Sequence, residues 1–384
     1  MRRTIGSILV FFLFAGVLSP AGRALEPLPE DSFALDCTAA VLMERETGTV
    51  LYARAEREHL SPASVTKVMT LLLVAEAVES GAVRAEDIVT ASPRAAAMGG
   101  SQVWLEEGEQ MTVAEMTKCV TVVSANDCAV ALAEHLCGSE EAFVARMNQR
   151  AGELGMADTH FTNCTGLFEN KDHYTCALDI ALMARELLKH EFVRQYAVLW
   201  TDTIRGGEFA LTNTNKLVRY YPGCTGLKTG YTSTAMFCLA ASARREDTEF
   251  IAVILHGETS QKRFDAARTL LDYAFANYAL VSPPVGDLPG VAVELGSESS
   301  VGVTLASRDR ILVEKAKQRS LTARAELPES VPAPVEKGQR LGTLTISAGE
   351  ETVAEIPLVA AQGVERLSLG QIWLSLVRTL CGQL

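Results

Sequence analysis

The 384-residue chain reads as an α+β protein, a mostly antiparallel sheet carrying helices on its faces, followed by a small all-β domain. Three observations carry that reading. Ala39 to Glu44 and Thr49 to Ala53 alternate on either side of a turn at Glu46-Thr47-Gly48, which is the pattern of an N-terminal hairpin. Gly226 to Thr232, Ala235 to Ala243 and Glu249 to His256 are three consecutive strand-like runs, with Arg244-Arg245-Glu246-Asp247 turning between the last two. The long stretch between these groups is helical in period and in capping. Strands at both ends with helices between them fit a layered α+β domain.

The chain opens with Arg2 and Arg3, an apolar run from Ile5 to Leu18, and the small-residue stretch Gly22-Arg23-Ala24. Residues 1–24 therefore read as a secretory signal. An uncleaved anchor is the competing reading, although the apolar run is shorter than the ~20 residues a spanning helix needs. Both readings export the remainder. Residues 25–282 form the first domain, and its central stretch is Ser61 to Thr70. A helix is expected there, with Pro62 in the first turn and Leu71, Leu72, Leu73, Val74 and Ala75 continuing past Lys67. A helix apolar nearly all round is buried, and a buried lysine needs a partner. Helical residues three apart are neighbours, with Cβ atoms about 5–6 Å apart, so Ser64 and Lys67 can touch.

Thr112-Val113-Ala114-Glu115 is a capping box that opens a helix to about Val123, and Asn126-Asp127 starts another that stops before Gly138. Ser124 falls in the tight bend between them, where its alternative role is a plain helix cap. Glu140 to Leu154 is a third helix, Asn163 to His173 a loop, and Thr175 to His190 an amphipathic helix. His173 reads as a residue that fixes the loop rather than a catalytic one. Gln261 to Tyr278 closes the domain as a helix. After Pro283-Pro284 the texture changes to short alternating runs: Val291 to Leu295, Val301 to Leu305, Ile311 to Val313, Leu321 to Leu327, Leu341 to Ile346 and Val353 to Leu358. Residues 283–365 are thus expected to form the β-rich domain. In the tail, residues 366–384, one helical face gathers Leu369, Ile372, Trp373, Leu376, Val377 and Leu380 opposite Gln371, Ser375 and Arg378. It is too short to span a bilayer; it either lies at a membrane surface or packs on the β domain.

A formal charge of −12 without a basic run excludes nucleic acid as a partner class. Nine cysteines, an odd number without a Cys-x-x-Cys pair, do not describe a disulfide framework. Cys119, Cys128 and Cys137 sit on apolar helical faces as packing residues, and one or two bridges elsewhere stay open. The six histidines include no His-Glu-x-x-His, so neither a metal nor another cofactor is expected.

Chemistry concentrates in three short motifs: Ser64-Val65-Thr66-Lys67, Ser124-Ala125-Asn126 and Lys228-Thr229-Gly230. A serine hydroxyl is a poor nucleophile until a base takes its proton, and a lysine kept neutral by burial can be that base. A neighbouring Lys228 charge is expected to push Lys67 in the same direction. The three motifs in this order resemble the active-site signature of the penicillin-recognising serine enzymes. Pro62-Ala63 before Ser64, Gly99-Gly100-Ser101, Asp127 after Asn126, Gly155-Met156, Thr159-His160-Phe161, Thr212-Asn213-Thr214-Asn215 and Tyr221-Pro222-Gly223 narrow the likeness to low-molecular-mass D-alanyl-D-alanine carboxypeptidases. The likeness runs from about Ala39 to Phe275 and resumes in the C-terminal segment.

The resemblance implies a penicillin-recognising transpeptidase/β-lactamase-like domain with a five-stranded antiparallel sheet and the motifs in a groove beside the Lys-Thr-Gly strand. It also implies a serine-type carboxypeptidase that removes the terminal D-alanine of peptidoglycan stem peptides, is acylated by β-lactams, and works at the outer face of the cytoplasmic membrane. Ser64 would be the nucleophile, Lys67 its base and Ser124 the proton relay. Asn126 would hold the peptide amide and Lys228 and Thr229 the terminal carboxylate, with Gly230 of the same motif counted among the substrate-binding residues. The oxyanion would lie between the backbone N–H groups of Ser64 and Tyr231. Arg263 would assist the carboxylate, or else pair with Asp265 at the surface. A D,D-endopeptidase of the same fold and a catalytically weak wall scaffold are the rival functions. Two departures stand out: Thr225 replaces an aspartate common in relatives, and Cys164 replaces a proline. The absence of Glu-x-x-Leu-Asn between the second and third motifs removes the deacylating glutamate of class A β-lactamases.

Overall fold

A computed structural model describes residues 25–167, 170–307 and 310–380. The expected signal sequence, residues 1–24, lies outside the described residues. The chain forms two compact units, the first comprising residues 25–282 together with a short later segment.

In the first unit β1 (Ala39–Glu44) and β2 (Val50–Arg54) form the hairpin, with Leu42 opposite Tyr52. A 3₁₀ turn (Ala63–Thr66) runs directly into α1 (Lys67–Glu79). The helix is buried from Lys67 through Ala75, as its all-round apolar surface demands. A small hairpin of β3 (Ile88–Thr90) and β4 (Gln110–Thr112) brackets the short α2 (Pro93–Ala96). The capping box is formed: the Thr112 hydroxyl accepts the Glu115 N–H, and α3 runs over Val113–Val122. Next come α4 (Asn126–Cys137), ended by left-handed Gly138, then α5 (Glu140–Glu153), α6 (Ala177–Leu187) and α7 (Glu191–Ala197). A second hairpin, β5 (Thr201–Ile204) with β6 (Phe209–Thr212), and the single turn α8 (Leu217–Tyr220) lead back to the sheet.

The sheet is completed by β7 (Cys224–Thr232), β8 (Met236–Arg245) and β9 (Thr248–Gly257), and α9 (Ser260–Asn277) closes the unit. Strand order is β2-β1-β9-β8-β7, antiparallel throughout, so the Lys-Thr-Gly strand is an edge. Each face buries its own cluster. Val41, Met43, Ile251 and Val253 face α1 and its helical neighbours; Leu42, Ala252 and Ile254 face Phe264, Leu270 and Leu271 of α9. Alternate residues of one strand thus serve two cores, which is why β1 is buried at all six positions.

β10 (Tyr278–Val281) pairs with β14 (Ile311–Glu314), both in this first unit. The second unit holds β11 (Val291–Glu294), β12 (Ser300–Val301), β13 (Val303–Leu305), β15 (Leu321–Glu326), β16 (Ser330–Pro332), β17 (Arg340–Ala348), β18 (Glu351–Ala360) and the tail helix α10 (Leu369–Leu380). Its strands form a three-stranded sheet, β12-β11-β16, and a four-stranded one, β13-β18-β17-β15. The β-rich expectation therefore differs at Ile311 to Val313, which leaves the β unit. Leu312 is buried in the cluster around Phe250 and Phe275, and Arg310 pairs with Glu46. An alternating run does not say which edge it will join. No helix of the described residues is long and apolar enough to cross a membrane. The eight described cysteines are all free thiols, including Cys119, Cys128 and Cys137.

Candidate active site

Ser64 sits in the 3₁₀ turn rather than in the α-helix expected of it, and Lys67 is the first residue of α1. In a 3₁₀ turn residues i and i+3 eclipse, so the two side chains face each other directly. Lys67 Nζ lies 2.9 Å from Ser64 Oγ and donates to the Thr165 carbonyl at 2.7 Å. The turn is held from below. Thr66 Oγ1 donates to Ala63 O at 2.8 Å and meets His173 Nε2 at 2.9 Å, so the buried His173 is a loop-fixing residue. Gly166 presses against the same turn; a Cβ there, at φ +71°, would fall 1.9 Å from Ala63 O.

Lys67 is completely buried, and burial is what lowers its pKa from 10.5 to about 7, against the opposing pull of Cys164 and Asp127. The expected push from Lys228 is not among the causes. Instead Lys228 is itself held well below its ordinary value, first by burial and then by Lys67 and Arg263.

Ser124 occupies the bend between α3 and α4 at φ +66°, a left-handed conformation rare for residues other than glycine. It is not a helix cap: Ala125 holds that position, with no side-chain bond. Its Oγ is buried and has no protein partner, and the same is true of Asn126 Oδ1. Asn126 Nδ2 donates to Gly99 O at 2.7 Å, and the Asn126 N–H to Ser101 O at 2.7 Å. Asp127 anchors this loop by accepting the N–H groups of Val103 and Leu105. Two unpaired polar atoms in a buried bend are costly unless something outside the chain meets them.

On the edge strand, Lys228 Nζ donates to Thr229 O at 3.0 Å, and Thr229 Oγ1 donates to Thr214 Oγ1 at 2.7 Å. Gly230 lets the strand approach the nucleophile turn, because a Cβ there would stand 2.7 Å from Pro62 O and 3.1 Å from Ser64 N. The Tyr231 ring is exposed and stacks on Phe237 at 4.4 Å. Along a strand backbone groups alternate in direction. Lys228 meets the Thr229 carbonyl, and the Tyr231 N–H two residues on lies on the same side of the strand as that carbonyl.

Arg263 is buried, and its Nη1 donates to the carbonyls of Gly230 at 2.9 Å and Cys238 at 3.2 Å. That rules out the surface pair with Asp265, which is bonded by Gln261 and paired with Arg268. Burial lowers the guanidinium pKa to about 10. Thr225 replaces its absent carboxyl with a hydroxyl bonded to Glu249 Oε1 at 2.7 Å and Ser242 Oγ at 2.8 Å. Having one hydrogen, it donates to the carboxylate and accepts from Ser242. Sequence reading missed two residues bonded to the motif side chains. Thr165 acts through a backbone carbonyl, which residue type cannot signal. Thr214 lay in a recognised stretch without an assigned role.

Fold and site together define a class, the penicillin-recognising serine enzymes. A family model described as D-alanyl-D-alanine carboxypeptidase matches residues 26–259, and one described as the C-terminal domain of penicillin-binding protein 5 matches residues 288–366. The D-alanyl-D-alanine carboxypeptidase DacF of Bacillus subtilis is 38% identical over 95% of each chain, and DacC of Escherichia coli is 30% identical over 94% of this chain and 92% of its own. The crystal structure of penicillin-binding protein 5 from Haemophilus influenzae aligns with a TM-score of 0.80 at 28% identity, covering 89% of this chain and all of that one. The chain belongs to the D-alanyl-D-alanine carboxypeptidase family, peptidase S11. Its members are cell-wall hydrolases that bind penicillin and work through an acyl-serine.

Proposed function

We propose that this enzyme removes the terminal D-alanine from peptidoglycan stem peptides ending in D-Ala-D-Ala, through an acyl-enzyme on Ser64. The observation that carries the reading is the 2.9 Å contact of Ser64 with the fully buried Lys67, whose burial lowers its pKa to about 7. Neutral Lys67 takes the Ser64 proton as Oγ attacks the carbonyl of the penultimate D-alanine. The oxyanion is met by the N–H groups of Ser64 and Tyr231. Ser124 passes the proton to the leaving amine, and Asn126 Oδ1 accepts the N–H of the peptide amide; both atoms lack another partner. Lys228 and Thr229 receive the terminal carboxylate, whose charge favours the ammonium form of Lys228. Arg263 acts through Gly230 O, holding the strand rather than touching substrate. Water then hydrolyses the ester. β-Lactams acylate the same serine.

Export rests on the Arg2, Arg3 and Ile5–Leu18 pattern. Peripheral attachment to the outer face of the cytoplasmic membrane rests on α10, where Leu369, Trp373, Leu374 and Leu376 are exposed instead of packed on the β unit.

The test is D-alanine release from a D-Ala-D-Ala peptide by the wild type and by Ser64→Ala, alongside covalent labelling with penicillin. Release and labelling by the wild type only are expected. Labelling without release, together with cleavage of cross-linked muropeptides, would transfer the activity to the endopeptidase reading. A folded wild type that does neither would leave the scaffold.

A further inference from the structure

The aim of the base depends on a carbonyl. A neutral amine has two N–H bonds and one lone pair, and Lys67 can take the Ser64 proton only when the lone pair points at Oγ. Giving one N–H to Thr165 O at 2.7 Å restricts rotation about the terminal bond and sets that direction. The placement of residues 163–166 therefore governs the geometry of proton transfer.

Asn163, Thr70 and Glu140 hold this segment. Asn163 Oδ1 accepts the N–H groups of Thr165 and Gly166 at 3.1 and 2.6 Å. Thr70 Oγ1, one turn along α1 from Lys67, donates to Cys164 O at 2.6 Å. The Glu140 contact needs a donor at position 164. A proline at position 164, as in related enzymes, brings a fixed φ and no donor. Cys164 instead supplies a fully buried N–H, which is costly unless it is accepted. Glu140 Oε1 accepts it at 3.0 Å, and Glu140 Oε2 is held by Arg94 Nη2 at 2.5 Å. Glu140 is the first residue of α5 and is itself buried, so its carboxylate is committed to Arg94 and to Cys164, whose thiol it meets as well as its N–H.

We infer that Glu140 is a positioning residue for Lys67, exerting its effect by fixing the Cys164 N–H and thereby the Thr165 carbonyl. The inference rests on the reading of Lys67 as base. In this chain a buried carboxylate does what a rigid ring does elsewhere.

The experiment measures the second-order rate of acylation by benzylpenicillin from pH 5 to 9, with thermal unfolding as control, for Glu140→Ala, Glu140→Gln, Cys164→Pro and Glu140→Ala/Cys164→Pro. Glu140→Ala is expected to lose about 10- to 100-fold, the scale of a displaced catalytic group. Its acid limb should also move to lower pH, because Lys67 loses an acceptor that favours its charged form. Glu140→Gln keeps an acceptor oxygen and should stay within about threefold of wild type. Once Cys164→Pro has removed the donor, adding Glu140→Ala should cost less than about threefold. Glu140→Asp, which withdraws the carboxylate but keeps its charge for Arg94, gives the same reading if the alanine variant does not fold. Equal losses in the two backgrounds, or an alanine variant within about twofold of wild type, would overturn the assignment. Failure of the underlying reading looks different, since Lys67→Ala would then acylate at the wild-type rate whatever Glu140 does.

Discussion

Lowering the pH should switch off acylation without unfolding the enzyme. With Lys67 at about 7, half the sites hold the free amine at neutrality. About one in ten does at pH 6 and about one in a hundred at pH 5. The second-order rate of acylation should therefore be level above pH 8 and fall tenfold per pH unit below pH 6. Linkage gives the same lysine a signature in stability. Its folded pKa lies below the unfolded value of 10.5, so the folded state resists a proton that the unfolded chain accepts. The resulting penalty is fully present below pH 7 and fades as pH rises from 7 towards 10.5. The span corresponds to about 5 kcal/mol. Lys67→Met abolishes the penalty but strands the Thr165 carbonyl, at about 1–3 kcal/mol, so it should stabilise the protein by about 2–4 kcal/mol at pH 6. That gain should vanish by pH 10. Stopped-flow acylation with a fluorescent penicillin and thermal melts across pH check both halves. A rate that is flat from pH 8 to pH 5, or a Lys67→Met variant less stable than wild type at pH 6, would refute the reasoning.

Other expectations follow from the same contacts. Gly230→Ala drives a methyl into Pro62 O and the Ser64 N–H, so acylation should fall by about 100-fold, with a stability loss of about 1–3 kcal/mol by thermal melt. Thr225→Val removes the hydroxyl from the buried Glu249, which should cost about 1–3 kcal/mol in denaturant unfolding and leave the acylation rate within about twofold. Removing residues 366–384 should abolish sedimentation with anionic vesicles while D-alanine release from a soluble peptide is unchanged.

What the sequence made legible follows physical locality. The capping box at Thr112, the stop at Gly138 and the all-round apolar α1 are short-range signals, and each appears where expected. The nearness of Ser64 and Lys67 needed only a spacing of three, and it survived the change from α to 3₁₀ turn because both geometries place those side chains together. Contacts made by backbone or chosen by topology were not legible. Thr165 reaches Lys67 through its carbonyl, and β14 joined β10 although its alternation fitted the β unit equally well. For Arg263 the sequence leaves two readings open, an assistant to the substrate carboxylate or a surface pair for Asp265, because sequence distance says nothing about which side of a helix meets a sheet. The depression of Lys67 was foreseeable from an apolar helix, whereas its division between burial and neighbouring charge required three-dimensional placement.

The free cysteines give the molecule a built-in reporter of its own opening. Burial pushes the thiols of Cys37 and Cys224 up to about 11 and Cys176 to about 12, with Cys128 and Cys164 well above their ordinary value. Since only a thiolate reacts, these sulfurs are silent towards alkylating reagents while the chain is closed. Cys119, Cys128 and Cys164 are wholly enclosed near the Ser124 bend and the 163–166 loop, and Cys37 and Cys224 belong to the cluster on the other side of the sheet. The order in which they become labelled at rising denaturant would map which layer loosens first.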